Sequence, residues 1–411
     1  MTTYQQQFNA YAAIKAQSAL GTIASGSGAL LIPLTGGTLK ASKQAIVSNQ
    51  VRQDGMSVRG RHGSQSFTAD YKGELQNNNY DTLLAALMRT TPTAGVAVTQ
   101  ATGGMASATM SISGSVITFS TGNVITVGIK CNDIISFTVG AAAGDLNKNL
   151  RVQSLTATTI TVAETLTTVA GPVTTYSFSV RGHKIINPAS GALVPTYFTL
   201  EEYEMDSDVS TVAQDVKVGK VSLAGQPNGM VTCDLGFVGT GNVQALTGAS
   251  APYFTTPALS STSALPYSVI DATLRLGGTD IIELTSFNLS IDMGLVATAV
   301  VGAKYAPDVF SGVMKTALTM SMLRKDLAAF SDFLAETTYS FSALLQITGT
   351  APLTFLSINV PYFTLGGVDP SELKRDGGPR TQTITIPDSL IGVDTRGSGY
   401  DATEVSFQYS E

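Results

Sequence analysis

The clearest pattern of apolar and polar positions lies in residues 66–75. Apolar side chains occupy alternate positions, namely Phe67, Ala69, Tyr71 and Leu75. The positions between them are mostly polar: Ser66, Thr68, Asp70, Lys72 and Glu74. A period of two predicts a β-strand with one buried face and one face in water.

A short amphipathic helix is predicted directly after this strand. Its apolar residues recur at i, i+3, i+4, i+7 and i+8 and form one stripe: Tyr80, Leu83, Leu84, Leu87 and Met88. Asn79 precedes them and is a suitable N-cap, because its side-chain oxygen can accept a free backbone N–H of the first turn. We expect the helix to lie against the sheet that the strand joins.

The same succession of elements recurs about 250 residues later. LTGGTLKAS from Leu34 is matched by LTSFNLSID from Leu284, and the helix is matched by DLAAFSDFLAE, with Phe330 in the place of Tyr80. The strands KVSL and VTCDLGF are matched by TQTITI and EVSFQYS near the end of the chain. The sequence therefore predicts an internal duplication.

One further match locates an insertion. VPTYFTL from Val194 recurs as VPYFTL from Val360, at an offset of only about 165 residues. The missing 85 or so residues correspond to a charge-poor stretch of short strand-like segments, punctuated by Gly, Asn and Asp at roughly ten-residue intervals. That spacing is typical of a small barrel or sandwich.

We therefore predict a mainly β fold with two tandem β-sandwich or barrel domains, each with one flanking α-helix, and a small inserted all-β domain. The predicted boundaries are an N-terminal arm (1–30), a first domain (31–94 and 181–243), the inserted domain (95–180), a linker (244–265) and a second domain (266–411).

Composition and charge exclude several functions. The net charge of −6 and the 13 % of charged residues argue against a protein that grips phosphates, which needs clustered Lys and Arg. Neither a signal peptide nor a run of 18 apolar residues is found, so we expect a cytoplasmic protein that does not enter a membrane. Cys233 alternates with apolar residues and is predicted in a core; a disulfide with Cys131 stays open.

No catalytic or metal-binding pattern is found. His62 and His183 have no Cys or carboxylate at ligand spacing. The acidic run LEEYEMDSD lacks the glycine turn of a calcium loop, so it is interpreted as a solvated strand end or a lumen-facing loop. The basic loop at Arg52, Arg59 and Arg61 has no interleaved aromatics, which favours an inter-subunit contact or an exposed turn over a phosphate site.

Three classes of function follow. A large, weakly charged, duplicated β-protein without a reactive site is typical of a structural subunit that binds copies of itself. The Thr- and Ser-rich residues 93–180 would also suit a phage or cell-surface adhesin or carbohydrate-binding module. A β-sandwich hydrolase would need paired carboxylates in a recognisable setting, and none is found, so no enzyme and no cofactor is predicted.

Residues of the first half resemble the tail tube proteins, or major tail proteins, of siphophages, the bacteriophages with long non-contractile tails. The pattern consists of Arg61, His62, Gly63, Gly73, Glu74, Leu75, Tyr80, Asp81, Leu83, Leu84, Leu87 and Arg89. The resemblance covers both halves outside the insertion, although Arg61 to Gly63 and Gly73 to Leu75 have no counterpart in the second half. It implies tail-tube domains whose inner strands join between subunits into a continuous β-barrel, and rings that stack into a hollow tube.

The resemblance also implies roles and partners. Two tandem tube domains imply a trimeric ring with pseudo-sixfold symmetry. A long inter-subunit loop would contain Gln53, Asp54, Gly55, Arg59, Gly60, Arg61, His62 and Gly63, whose glycines permit unusual backbone angles. The lumen would be lined by Asp70, Lys72 and Glu74.

The implied partners are other copies of the chain, a tape measure protein in the lumen during assembly, and tail terminator and distal tail proteins. DNA would pass through the lumen without specific binding. The protein would be assembled in the host cytoplasm and reside in the virion tail.

Overall fold

A computed structural model describes residues 4–188, 191–375 and 377–410. Within those residues the chain is mainly β, with several antiparallel sheets and three short helices. The first elements are β1 (Ala10–Ala16), β2 (Leu30–Leu31), β3 (Gly36–Ile46), β4 (Arg61–Glu74), α1 (Asp81–Leu87) and β5 (Thr93–Ala94). The next group is β6 (Ala97–Thr99), β7 (Met110–Ser113), β8 (Val116–Phe119), α2 (Val124–Val127), β9 (Ile134–Val139), β10 (Leu150–Leu155), β11 (Thr159–Val162), β12 (Val169–Val173) and β13 (Ser177–Val180).

The chain then continues with β14 (His183–Ile186), β15 (Phe198–Glu204), β16 (Val209–Gly225), β17 (Thr232–Gly239) and β18 (Val243–Thr247). The remaining elements are β19 (Thr273–Leu276), β20 (Thr279–Asp280), β21 (Leu284–Asp292), β22 (Val296–Ala297), β23 (Val309–Phe310), β24 (Lys315–Leu323), α3 (Ala328–Leu334), β25 (Thr338–Gln346), β26 (Phe355–Thr364), β27 (Gly367–Pro370), β28 (Thr381–Ile386) and β29 (Ser406–Tyr409). Short 3₁₀ turns occur at Ala143–Asp145, Gly248–Ser250, Val269–Asp271 and Asp388–Leu390.

Eight strands form one continuous antiparallel run, which we call the long sheet. Its order is β3-β4-β17-β16-β21-β24-β28-β27. The predicted alternation in β4 is confirmed, since Phe67, Ala69 and Tyr71 are buried while Asp70 and Lys72 are exposed. The same alternation runs through β17, β21, β24 and β28 and through the C-terminal part of β16, so the long sheet has one apolar face and one wet face.

A second sheet covers part of the apolar face. Its order is β20-β19-β25-β26-β29-β14-β5, and its inward residues share one core with the long sheet. Phe287 of β21 and Phe341 of β25 meet across that core with ring centroids 6.0 Å apart. Two sheets facing each other over an apolar layer make a β-sandwich.

The long sheet is built from two sets of four strands with the same connectivity. In each set the first two strands along the chain pair with each other. The fourth strand then pairs with the second, and the third strand pairs with the fourth, which gives the orders β3-β4-β17-β16 and β21-β24-β28-β27. The predicted match of TQTITI to KVSL is therefore wrong, because β28 takes the place of β17. EVSFQYS is also misplaced by that match, since β29 lies in the second sheet. Alternation identifies a strand but not its neighbours.

Residues 97–180 form an eight-stranded sheet of their own, in the order β12-β7-β8-β11-β10-β9-β13-β6. Its core includes Ile112, Ile117, Phe137 and Phe178. The flanking strands β5 and β14, predicted in the first domain, pair with each other, and β14 pairs with β29 of the second sheet. The stem of the insertion is thus part of the sheet formed by the second half.

Two segments predicted as loosely held are partly packed. Within the predicted N-terminal arm, β1 pairs with β15 along its whole length, and Ala12, Ala13 and Ile14 are buried. Within the predicted linker, Phe254 is buried and β18 extends the sheet beside β16. Both segments consist mostly of small and polar residues around a few apolar ones, so no clear apolar period predicted their burial.

The predicted role of Asn79 is wrong. Helix α1 begins at Asp81 with Tyr80 as N-cap, and no side chain caps it. The Asn79 side chain instead donates to the Ser261 carbonyl at 3.1 Å and accepts from the Ser261 N–H at 2.9 Å. Asn79 therefore holds the linker against the first half, a contact 182 residues away in sequence.

Candidate assembly surface

The two ends of the long sheet are free edges in the described chain. At one end β3 pairs with β4 and with no other described strand, and at the other end β27 pairs only with β28. Nearly every residue of β3 is exposed on both faces, and only Leu39 is partly buried. An edge strand presents unpaired N–H and C=O groups that can pair with another chain.

The hairpin of β3 and β4 carries the predicted inter-subunit loop at its tip. Gln53, Asp54, Gly55, Arg59 and Gly60 lie in the connection formed by residues 47–60. Arg61, His62 and Gly63 lie instead at the start of β4, with Arg61 opposite Ile46 and His62 opposite Ala45. Strand pairing therefore shortens the loop at its C-terminal side.

The loop is exposed and partly apolar. Val47, Val51 and Met56 project into solvent, and Val51 is 98 % exposed. Arg52 donates to Asp54 with an Nη2 to Oδ2 distance of 2.6 Å, and this contact lowers the pKa of the Asp54 carboxyl. Exposed apolar side chains on a projecting hairpin are typical of a surface that contacts another protein.

The three loop glycines have different structural roles. Gly55 has φ +68°, a left-handed conformation that glycine adopts readily. Gly60 and Gly63 do not, which corrects the expectation of unusual angles at all three. A Cβ at Gly60 would lie 2.2 Å from the Ile46 carbonyl oxygen, so this glycine is required for close approach of the two strands.

The three predicted lumen residues share the wet face of the long sheet. Asp70 and Lys72 are exposed and Glu74 is partly buried. Residues directly opposite one another in the ladders extend this face across all eight strands, giving the cations Lys40, Lys72, Lys217, Lys220 and Lys315, of which Lys217 is buried, and the anions Asp70, Glu74, Asp234, Asp292 and Asp369. The charges nearly cancel and both signs are interspersed.

Hydroxyl and amide groups fill the wet face between these charges. Ser42 and Ser66 share a hydrogen bond of 2.8 Å across β3 and β4, and Ser222 donates to Asn288 at 2.8 Å across β16 and β21. Such a face has no cluster of cations with which to retain a phosphate backbone.

Helices α1 and α3 occupy equivalent places, because α1 packs on β16 and α3 packs on β27. Leu84 N–H donates to Tyr80 O at 2.9 Å, and Ser331 N–H donates to Leu327 O at 2.8 Å. Each helix is followed by a left-handed residue, at Arg89 and Glu336. Leu327, rather than the predicted Phe330, therefore takes the place of Tyr80.

The two helices differ in burial. The α1 stripe lies in the core, with Leu87 0 % exposed. The corresponding α3 residues Leu327, Phe330 and Leu334 are exposed, and Leu334 is 67 % exposed. The apolar stripe of α3 is therefore only partly covered by the described part of this chain.

Because of this difference in burial, replacing leucine by alanine should affect the stability of the protein strongly in α1 and weakly in α3. Leu87→Ala should lower the free energy of unfolding by about 2–5 kcal/mol, because it leaves a cavity in the core. Leu334→Ala should change it by less than about 0.5 kcal/mol, because the side chain is already in water. Chemical denaturation followed by circular dichroism measures both, and equal destabilisation would contradict the difference in burial between the two helices.

The residues considered for chemistry have structural roles. Glu201, predicted in a solvated acidic run, is buried and accepts from Ser210 Oγ at 2.5 Å and from the backbone N–H of Phe254 at 2.9 Å. Cys131 and Cys233 are buried free thiols. Among the described residues no group of three or more His, Cys, Asp or Glu is arranged to hold a metal ion. No helix in residues 4–188, 191–375 or 377–410 is long and apolar enough to cross a membrane.

A buried ionic contact that the sequence pattern did not indicate joins the insertion to the rest of the chain. Lys184 of β14 forms ion pairs with Asp133 of the insertion and, at 2.7 Å, with Asp401 near the C-terminus. Burial alone would lower the pKa of the Lys184 ammonium, but the two carboxylates outweigh it and raise the pKa. Gln408 adds a second link, since it accepts from Ile134 N–H at 2.8 Å and donates to Ile134 O at 2.9 Å.

Comparison with known families identifies the chain. A family model described as phage tail tube protein matches residues 7–387. The chain belongs to the phage tail tube protein family. The match runs through residues 95–180 as well as both halves, although the resemblance seen in the sequence excluded that insertion. No curated protein matches the chain.

Membership of this family gives the class of function. The tail tube protein is a structural, non-enzymatic component of the virion tail, and it self-assembles into a tube. The free edges of its long sheet, the exposed hairpin and the exposed α3 stripe are the surfaces available for that assembly.

Proposed function

We propose that this tail tube protein forms a trimeric ring in which each half of the chain supplies one tube domain and four strands of a closed inner barrel. The observation that carries the proposal is the repeat of β3-β4-β17-β16 as β21-β24-β28-β27, joined within one chain by the pairing of β16 with β21. Three chains would supply 24 strands with pseudo-sixfold symmetry. Ring closure would leave no free edge.

The wet face of the long sheet would line the channel. Asp70, Lys72 and Glu74 would then project into the lumen together with the hydroxyl groups of neighbouring strands. Because the charges on this face nearly cancel, DNA phosphates would be neither captured by a cationic patch nor strongly repelled. Such a wall suits a conduit through which the genome passes without specific binding.

The remaining surfaces suit stacking and external contacts. The exposed apolar tip formed by residues 47–60 would contact the neighbouring subunit or the next ring. The insertion contacts the second sheet, where Ile134 packs against Leu344 and Phe355, so it lies on the side of the sandwich away from the wet face. It would therefore project outward from the tube.

In the virion of a siphophage, the lumen would hold a tape measure protein during assembly. The tail terminator protein and the distal tail proteins would bind the two ends of the tube. These partners are proposed from the family resemblance, and the free surfaces at the two ends of a stacked ring would be their sites.

Ring symmetry is the decisive test. Purified full-length protein should form hollow rings or tubes in electron micrographs, and mass measurement of isolated rings should give three chains per ring. Class averages should show six similar lobes. Six chains per ring, or a monodisperse monomer that binds glycans, would refute the proposal.

The loop makes a separate prediction. Replacing residues 53–59 by a short Gly-Ser turn should leave a folded monomer, because those residues lie outside the strands and all but the partly buried Val58 are exposed. Assembly into tubes should be lost, since the apolar tip that contacts another subunit is shortened. Circular dichroism and electron microscopy measure the two effects, and loss of native β signal would place the loop in the fold instead.

A further inference from the structure

We propose that the ring closes by antiparallel pairing of β27 with β3 of the next copy, in one register that sets Asp369 directly opposite Lys40 of that copy. This inference rests on the proposed ring and adds the residues that join its subunits. The occupant of both free edges is a second copy of this chain.

The junction between β16 and β21 inside the chain is the template. It pairs the last strand of the first set with the first strand of the second set. Val221 lies opposite Ile291, and Ser222 lies opposite Ser290. Closing the ring requires the same junction between the last strand of the second set, β27, and the first strand of the first set, β3.

Equivalent residues of β16 and β27 follow from the ladders. Leu75 N–H donates to Val231 O at 2.8 Å, and Arg324 N–H donates to Arg380 O at 2.8 Å, so these bonds mark the same point in the two sets. Counting along β17 and β28 from Val231 and Arg380 makes Leu235 equivalent to Ile384.

The next ladder then fixes the position in β27. Leu235 lies opposite Val221, and Ile384 lies opposite Val368. Val368 is therefore the equivalent of Val221, and both side chains are buried. Asp369, one residue further on, is the equivalent of Ser222.

Equivalent residues of β3 and β21 follow from the sequence match and its ladder. Leu39 matches Leu289 in the repeated segment, and Leu39 lies opposite Ala69 as Leu289 lies opposite Leu318. The template pair of Val221 with Ile291 becomes Val368 with Ala41 of the next copy. The template pair of Ser222 with Ser290 becomes Asp369 with Lys40 of the next copy.

The outward backbone groups of Val368 in β27 and Ala41 in β3 agree with this register. Ser371 N–H donates to Thr381 O at 2.8 Å, so Asp369 also faces β28 while Val368 and Pro370 face the free edge. Pro370 lacks an N–H, so Val368 is the outward donor of β27 and pairing across this edge would end beside Pro370. Backbone N–H and C=O groups also alternate between the two sides of β4, and the N–H of Leu75 faces β17. Counting back from Leu75 and across the ladder with β3 places the backbone groups of Lys40 toward β4 and those of Ala41 toward the free edge.

Charge distinguishes this junction from the internal one. Asp369 and Lys40 are exposed on the wet face, and they would form a pair without mutual backbone hydrogen bonds, in which opposite side chains approach closest. A shift by two residues would place Asp369 opposite Thr38 or Ser42, without a cation. The charge pair therefore specifies the register as well as the partner strand.

An apolar surface lies at the same end of the long sheet. Helix α3 packs on β27, the strand at that free edge, and its stripe of Leu327, Phe330 and Leu334 is exposed. At the internal junction the equivalent helix is part of a shared core that includes Leu289 of β21. We expect the next copy to cover the α3 stripe in the same way.

Disulfide trapping tests the register. The double variant Lys40→Cys with Asp369→Cys should cross-link rapidly in assembled tubes and give covalent dimers and trimers on non-reducing gels, because such strand pairs have Cα atoms about 4.5 Å apart. The two natural cysteines are buried. The shifted control, Ser42→Cys with Asp369→Cys, should cross-link at least tenfold more slowly.

The outcomes separate the two proposals. Rings that form but cross-link faster through Ser42→Cys would overturn the register and leave the ring intact. Absence of rings from the unmodified protein would overturn the proposed function itself. In a second experiment, Lys40→Asp alone should reduce assembly at least tenfold, and adding Asp369→Lys should restore it; no restoration would refute the charge pair.

Discussion

Ala41→Pro should abolish ring and tube formation while the monomer stays folded. Ala41 is exposed in the edge strand β3, and its N–H faces away from β4. Proline removes that donor and places its ring on the surface where β27 of the next copy would pair. We expect no particles larger than a monomer in light scattering and no rings in electron micrographs.

The matched control is Ala41→Thr, which keeps the N–H and favours a strand. It should assemble like the unmodified protein, and both variants should have circular dichroism spectra typical of the folded chain. Tubes formed by Ala41→Pro would show that β3 is not the joining edge. Unfolding of that variant would show that β3 is needed for the folded monomer, and Val368→Pro, which removes the outward N–H of β27, would then test the same junction from the other edge.

Lys184→Met should lower the free energy of unfolding by about 3–5 kcal/mol, because it leaves two carboxylates buried without their cation. Asp133 is only 1 % exposed and Asp401 14 % exposed at the side chain, so neither can be fully rehydrated. Because the contact joins the insertion, the stem strand β14 and the C-terminal segment, the loss should also release the insertion for proteolysis.

Lys325→Met is the control, since its ion pair with Glu283 has a Nζ to Oε1 distance of 3.5 Å and Lys325 is 75 % exposed. Exposed pairs contribute about 0–1 kcal/mol, so this variant should unfold near the normal midpoint. The chain has no tryptophan, so circular dichroism is the suitable probe. Similar midpoints for both variants would show that water reaches the Lys184 cluster.

Because the insertion contacts the rest of the chain, deleting it would affect the stability of the fold as well as assembly. Ile134 covers Leu344 and Phe355, and Asp133 neutralises Lys184. Deleting the insertion would therefore expose apolar surface and leave Lys184 with Asp401 alone. A deletion variant should carry Lys184→Met with Asp401→Asn before its assembly is compared with that of the full chain.

Local patterns determined much of the fold in advance. The alternation in residues 66–75 predicted β4 and its buried face, and the stripe from Tyr80 to Met88 predicted α1. These predictions held because a side chain's direction depends on its place in a strand or helix, which the sequence states directly. The match of LTGGTLKAS to LTSFNLSID also held, and it located β3 and β21 as the equivalent first strands of the two sets.

Non-local pairing was decided by the tertiary structure. Nothing in the sequence indicated that β16 pairs with β21, that β28 takes the place of β17, or that Asn79 contacts Ser261. The equivalence of Leu327 with Tyr80 needed the hydrogen bonds of both helices, because short insertions shift a sequence match without changing its pattern. The Lys184 cluster joins residues 51 and 217 positions apart.

The sequence by itself thus indicated a mainly β protein of the tail tube family, with a repeated order of strands and a bland, wet strand face. Only the tertiary structure decided which strands are neighbours, which edges stay free and how the charges on the wet face cancel. The physical reason is that periodicity fixes which way each side chain points, whereas the partner of a strand is chosen by packing and hydrogen bonding between segments far apart in the chain.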